Sequence, residues 1–108
     1  MITVLVAGPE EGSVDGFAAN HPSVEIMTAS GSEDALEKLA RNRRIDAVLI
    51  LAGEKTAEIA ALIREEDPGA PPLYAPAGAG PIPLVRPIDA ESPERLLQAI
   101  VREISPGA

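Results

Sequence analysis

The chain predicts an α/β domain built on a parallel sheet with helices on both faces. Three observations carry this expectation. Short apolar runs at residues 2–7, 24–28 and 45–51 have the length and composition of strands. The segments that follow the second and third runs place apolar residues at helical spacing. The run Ile45-Asp46-Ala47-Val48-Leu49-Ile50-Leu51 is nearly continuous in its apolarity, which suits a strand covered on both faces rather than one with a wet side. Strands alternating with helices imply right-handed crossovers within one parallel sheet. With 108 residues the chain supports one domain, residues 1–108, around one modest core.

Each element has its own local cause. The first strand, residues 2–7, closes at Gly8-Pro9. Residues 13–20 are a weak helical segment, with Gly16 inside it and His21-Pro22 breaking it. After the second strand, Ser32 is placed to cap a helix whose first turn holds Glu33 and Asp34, favourable at the positive end of the helix dipole. Ala35, Leu36, Leu39 and Ala40 form its apolar face, and Arg41, Arg43 and Arg44 close it. Residues 54–66 form the next helix, with Ile59, Leu62 and Ile63 inward and Asp67-Pro68-Gly69 as the stop. Residues 72–75 and 82–86 are the fourth and fifth strands. Ser92 followed by Pro93 is a strong start signal for the last helix, striped with Leu96, Leu97, Ile100, Val101 and Ile104. Only residues 76–81 separate the fourth and fifth strands, fewer than the dozen or so that a helical crossover takes. An ordered Pro/Gly-rich loop is expected there instead.

Composition excludes several functions. The sequence has no cysteine, which rules out disulfides, thiolate catalysis and cysteine-ligated metal. A formal net charge of -8 argues against nonspecific nucleic-acid binding, which depends on neutralising phosphates with lysine and arginine. No apolar run approaches the roughly 20 residues that span a bilayer, so no membrane association is expected. The first residues lack the basic segment of a signal peptide, so the expected location is cytoplasmic. Phe17 and Tyr74 are the only aromatic residues, so the core must be made of Ala, Val, Ile and Leu.

Three segments carry a family resemblance. Thr3-Val4-Leu5-Val6-Ala7 with Gly8-Pro9-Glu10, then residues 28–36, then Leu84-Val85-Arg86-Pro87 before a helix resemble the receiver domain of two-component response regulators. The resemblance implies a flavodoxin-like, CheY-like doubly wound sheet of five parallel strands in the order 2-1-3-4-5, with the family's fourth helix shortened or absent.

It also implies a degenerate phosphorylation site. The family's two magnesium-holding acids fall on Gly8 and Pro9, with Glu10 and Glu11 just after, where they read as solvated turn residues. The phosphoacceptor aspartate falls on Leu51, the hydroxyl residue near Pro76 or Ala77, the aromatic switch on Pro83, and the phosphoryl-contacting lysine on Arg86 before Pro87. Arg86 is expected to close its turn by pairing with an acid, with anion binding as the alternative. The Arg86-Pro87 bond is one where a cis peptide is cheap.

Aspartyl phosphorylation needs a carboxylate nucleophile and a divalent cation shell, and these positions supply neither. The expected function is therefore a phosphorylation-independent pseudo-receiver, not an enzyme, with no cofactor and no metal. It would act as a protein-protein interaction module in bacterial signal transduction or protein localisation, and a homodimer is possible. The alternative is a small-ligand or nucleotide-binding domain of the same architecture, using Gly8-Pro9-Glu10, Ala52-Gly53-Glu54 and the loop at residues 77–80, with Arg86 for an anion.

Overall fold

A computed structural model of the chain describes residues 2–8, 24–42, 44–52, 55–67, 69, 71–79, 82, 85–90 and 92–104. The expected helix at residues 13–20 and the site positions Pro9, Glu10 and Pro83 lie outside the described residues. The elements are β1 (Ile2–Ala7), β2 (Val24–Ala29), α1 (Ser32–Arg41), β3 (Ala47–Ile50), α2 (Thr56–Glu66), β4 (Leu73–Pro76), β5 (Val85–Ile88) and α3 (Pro93–Ile104). All strand pairings are parallel, and the five strands run β2-β1-β3-β4-β5. This is the flavodoxin-like architecture, with the order reversing between β1 and β3.

The alternation of side chains along the central strands builds two cores, one on each face of the sheet. Leu5, Ala7, Val48, Ile50 and Leu73 pack with Ala35 and Leu39 of α1 and Ile59, Ala60 and Ile63 of α2. Val4, Val6, Ala47, Leu49 and Tyr74 pack with Leu96, Leu97 and Ile100 of α3. Both faces of β1 and β3 are therefore dry, and that is why their sequences carry almost no polar residue.

The strand entries are fixed by polar contacts. The backbone N–H of Asp46 donates to Thr3 O at 2.8 Å, and the Thr3 N–H donates to Asp46 Oδ2 at 2.9 Å. Asp46 thus pins the amino ends of β1 and β3 together, at the edge of the sheet opposite the strand ends where ligands bind in such folds.

Several boundaries differ from the sequence expectation. β4 and β5 both move toward the C-terminus, to Leu73–Pro76 and Val85–Ile88, because their register pairs Leu73 with Val85 and Tyr74 with Arg86. Ile82 lies before the strand, its carbonyl accepting the Val85 N–H at 3.2 Å. Pro87 consequently sits inside β5 rather than after it, Arg86 is no longer the last residue of the strand, and the peptide bond between them is trans. Proline is tolerated there because β5 is an edge strand. A single 3-10 turn, Ala77–Ala79, follows β4.

Ser32 does not cap α1. It is the first helical residue, preceded by Gly31. Instead the Asp34 carboxylate accepts the Ser30 N–H at 3.0 Å. Ser92 does act as expected: its Oγ accepts the Arg95 N–H at 3.3 Å and its carbonyl accepts the Leu96 N–H at 3.0 Å.

Candidate functional site

The carboxyl ends of β1 and β3 lie side by side where the strand order reverses, the place where open α/β sheets form a ligand crevice. Here they floor an open depression of about 530 Å³, lined by Gly8, Ser30, Gly31, Ser32, Leu51, Ala52, Lys55, Glu58 and Ile59. Two of the residues singled out in the sequence, Gly8 and Leu51, meet in it.

Gly8 is there for a steric reason. Its φ is +76°, and a Cβ at this position would stand 3.0 Å from Ala52 Cβ. An acidic side chain, as the receiver resemblance would place here, is disfavoured both by the left-handed backbone and by the closeness of Ala52. The Gly8 N–H donates to Ala29 O at 2.8 Å, locking the turn onto β2. Leu51 is held just as firmly: its N–H donates to Ala7 O at 2.8 Å, and its side chain is half-buried against the α3-side core. The carboxyl end of β3 thus presents a hydrocarbon to the depression.

The start of α2 forms the next wall. Thr56 is almost fully buried at 1% exposure, and its Oγ1 accepts the Ala52 N–H at 3.2 Å. The Lys55 N–H donates to Ala52 O at 3.1 Å, closing the turn between β3 and α2. Lys55 and Glu58 lie at this end and carry the only charged groups among the described residues that line the depression.

The opposite wall, residues 30–32, is braced from α1. Lys38 Nζ donates to Thr28 O and to Asp34 Oδ2, the latter at 3.3 Å. The Asp34 carboxyl is held below its ordinary value of 3.8, first by the Ser30 N–H and then by Lys38. Sequence reasoning missed residues 30–32 as a wall. The signal was Ser30-Gly31-Ser32 between a strand and a helix, read only as a cap.

The remaining predicted positions do not join the depression. Ala77 is exposed in the 3-10 turn, and Pro87 is exposed on β5. The Arg86 guanidinium donates to Glu103 Oε1 of α3 at 3.1 Å. It takes the structural role expected of it, pairing with an acid. Tyr74, 3% exposed on β4, lies beside this pair. Burial raises its phenol pKa above 10.0, the negative charge of Glu103 adds to that, and Arg86 opposes it. Tyr74, Arg86 and Glu103 form a polar clasp between β4, β5 and α3 on the sheet face away from α1 and α2.

Chemically, the depression offers hydroxyl, amide, one ammonium and one carboxylate group. Among the described residues no three His, Asp or Glu side chains gather as a metal site. Again among the described residues, no helix is long and apolar enough to cross a membrane. Comparison of the chain with family models, with curated proteins and with solved structures gives no significant match.

Proposed function

We propose that this chain is a phosphorylation-independent pseudo-receiver, acting as a protein-interaction module in bacterial signalling or protein localisation. The single observation that carries the reading is the pairing of Leu51 and Gly8 at the reversal point of a 2-1-3-4-5 parallel sheet. The carboxylate nucleophile is replaced by a packed leucine. The neighbouring cation-holding position is a glycine whose left-handed backbone and close approach to Ala52 disfavour a side chain. Arg86, matched by resemblance to the phosphoryl-contacting lysine, is engaged with Glu103 across the clasp. Without nucleophile and cation shell, phosphoryl transfer has neither its bond-forming atom nor its charge neutralisation. What remains is a rigid α/β scaffold whose surfaces are available to partners.

A second reading, a small-ligand or nucleotide-binding domain, draws on the open depression with Lys55 at its rim. One set of amide NMR spectra separates the two. Beryllofluoride with Mg²⁺, acetyl phosphate with Mg²⁺, and a panel of nucleotides are each expected to leave the amides of Gly8, Ser30–Ser32, Leu51 and Ala52 unmoved. A saturable Mg²⁺-dependent shift with beryllofluoride would overturn the pseudo-receiver reading. A saturable shift with a nucleotide alone would favour the ligand reading instead.

A further inference from the structure

The chain carries a formal net charge of -8, and α3 holds two acids and two arginines, Glu94, Arg95, Arg102 and Glu103, but its two arginines gather along one strip. Arg95 and Arg102 lie seven residues apart, two helical turns and about 10 Å along the axis. With Gln98 and Ala99 between them they line a shallow groove of about 420 Å³, rimmed by Asp89 and Ala90. Among the described residues neither guanidinium has an acidic partner, whereas Lys38, Arg41 and Arg86 are paired with Asp34, Glu37 and Glu103. Two cations against one rim carboxylate leave the groove positive.

The opposite face of the same molecule carries the complement. On α2, Glu58 and Glu65 are exposed and also seven residues apart, with exposed Ala61 and half-buried Leu62 between them. Neither acid has a basic partner among the described residues. The two stripes match position for position: Glu58, Ala61, Leu62, Glu65 against Arg95, Gln98, Ala99, Arg102. The small residues at their centres, Ala61 and Ala99, let two helices approach at the 8–10 Å typical of packed helices.

We infer that the α3 groove of one copy docks the α2 acidic stripe of a second copy. The inference rests on the interaction-module reading and names its partner. Because α2 and α3 cover opposite faces of the sheet, a docked pair keeps one free stripe of each kind, the α2 stripe of one copy and the α3 groove of the other. The contact is heterologous, so copies add head to tail into a ring or an open filament rather than closing as a two-fold dimer.

The test is sedimentation at low salt over a wide range of protein concentration. The wild type is expected to rise above the 11.2 kDa of one chain as concentration increases. It should return to that mass at about 0.5 M salt, where exposed charges are screened within a few ångström. The variants R95E/R102E and E58R/E65R should each weaken association by roughly tenfold or more, since like charges then face each other. Mixing the two variants, or combining all four changes in one chain, should restore it, because acid again meets base. All four residues are exposed, and unchanged circular dichroism spectra would show that the variants are folded. A wild type that stays at one chain's mass throughout overturns the inference. So does association that persists in R95E/R102E, or charge-swapped chains that fail to regain it. Glu58 also lines the strand-end depression, but the mass is read without Mg²⁺ or any added ligand and R95E/R102E leaves the depression untouched, so this inference and the pseudo-receiver reading can fail separately.

Discussion

At the residue scale the chain's most informative position is Leu51, because its side chain belongs both to the depression and to the α3-side core. Replacing it with aspartate puts a carboxylate where Leu51 now packs on the apolar α3-side core. Leu51→Asp is therefore expected to lower stability by about 1–3 kcal/mol, the cost of a partly buried polar group without partners. It should also fail to restore labelling by acetyl phosphate. Urea denaturation checks the first and mass spectrometry the second; a variant as stable as the parent would mean that Leu51 adds nothing to the core. The identity of this residue was legible in the sequence, since it ends an apolar run where the resemblance calls for an acid. The reason an acid is disfavoured at Gly8 was not legible, because it depends partly on Ala52 across the gap between two strand ends. Arg86 shows the same limit. The expectation of an acidic partner was sound, but Glu103 lies 17 residues further on and reaches it only through the packing of α3.

At the scale of elements, helices were easier to read than strands for a physical reason. A helix satisfies its backbone within itself, so its apolar period and its caps are local, and Ser92-Pro93 marked the start of α3 correctly. A strand's limits are set by its neighbour. β5 begins at Val85 rather than residue 82 because β4 supplies partners only from Leu73 to Pro76. Its outer edge is also a poor template for another strand, since Val85 donates its N–H to Ile82 and Pro87 has none. The one capping error, Ser32, arose because a carboxylate in the first turn competed for the same role. The Asp34 carboxyl, lowered from 3.8 by the Ser30 N–H and by Lys38, joins β2 to α1. A depressed carboxyl contributes stability that is present above its unfolded value and lost as pH falls through its folded value. The difference in melting temperature between the parent and Asp34→Asn should thus be largest above 3.8 and shrink as the pH falls below it. An NMR titration of Asp34 should have its midpoint below 3.8, and a midpoint at or above that value would remove the Ser30 and Lys38 contacts from the account.

At the scale of the molecule, the five parallel strands form one sheet with α1 and α2 on one face and α3 on the other. The short passage from β4 to β5 was legible from its length, but the division of the interior was not, since composition treats all aliphatic residues alike. The sheet separates two cores whose side chains do not touch. Ile63 of α2 and Ile100 of α3 are each 0% exposed and lie on opposite sides. Each shortened to valine should cost about 0.5–1.5 kcal/mol, the usual loss for one buried methyl group. Residues that share no contacts add to within about 0.5 kcal/mol, so Ile63→Val with Ile100→Val should cost the sum of the two. Both central strands, however, present one face to each core: Leu5 and Ala7 against Val4 and Val6 in β1, Val48 and Ile50 against Ala47 and Leu49 in β3. Interiors packed to crystal density transmit strain, so a shift of these strands is the one route by which repacking on one side could reach the other. A double-mutant cycle in urea measures that route directly. Additivity means that the two layers respond as independent cores on a rigid sheet. A coupling above about 1 kcal/mol would mean that β1 and β3 move as α2 or α3 repacks, and the two faces would then communicate through the sheet itself.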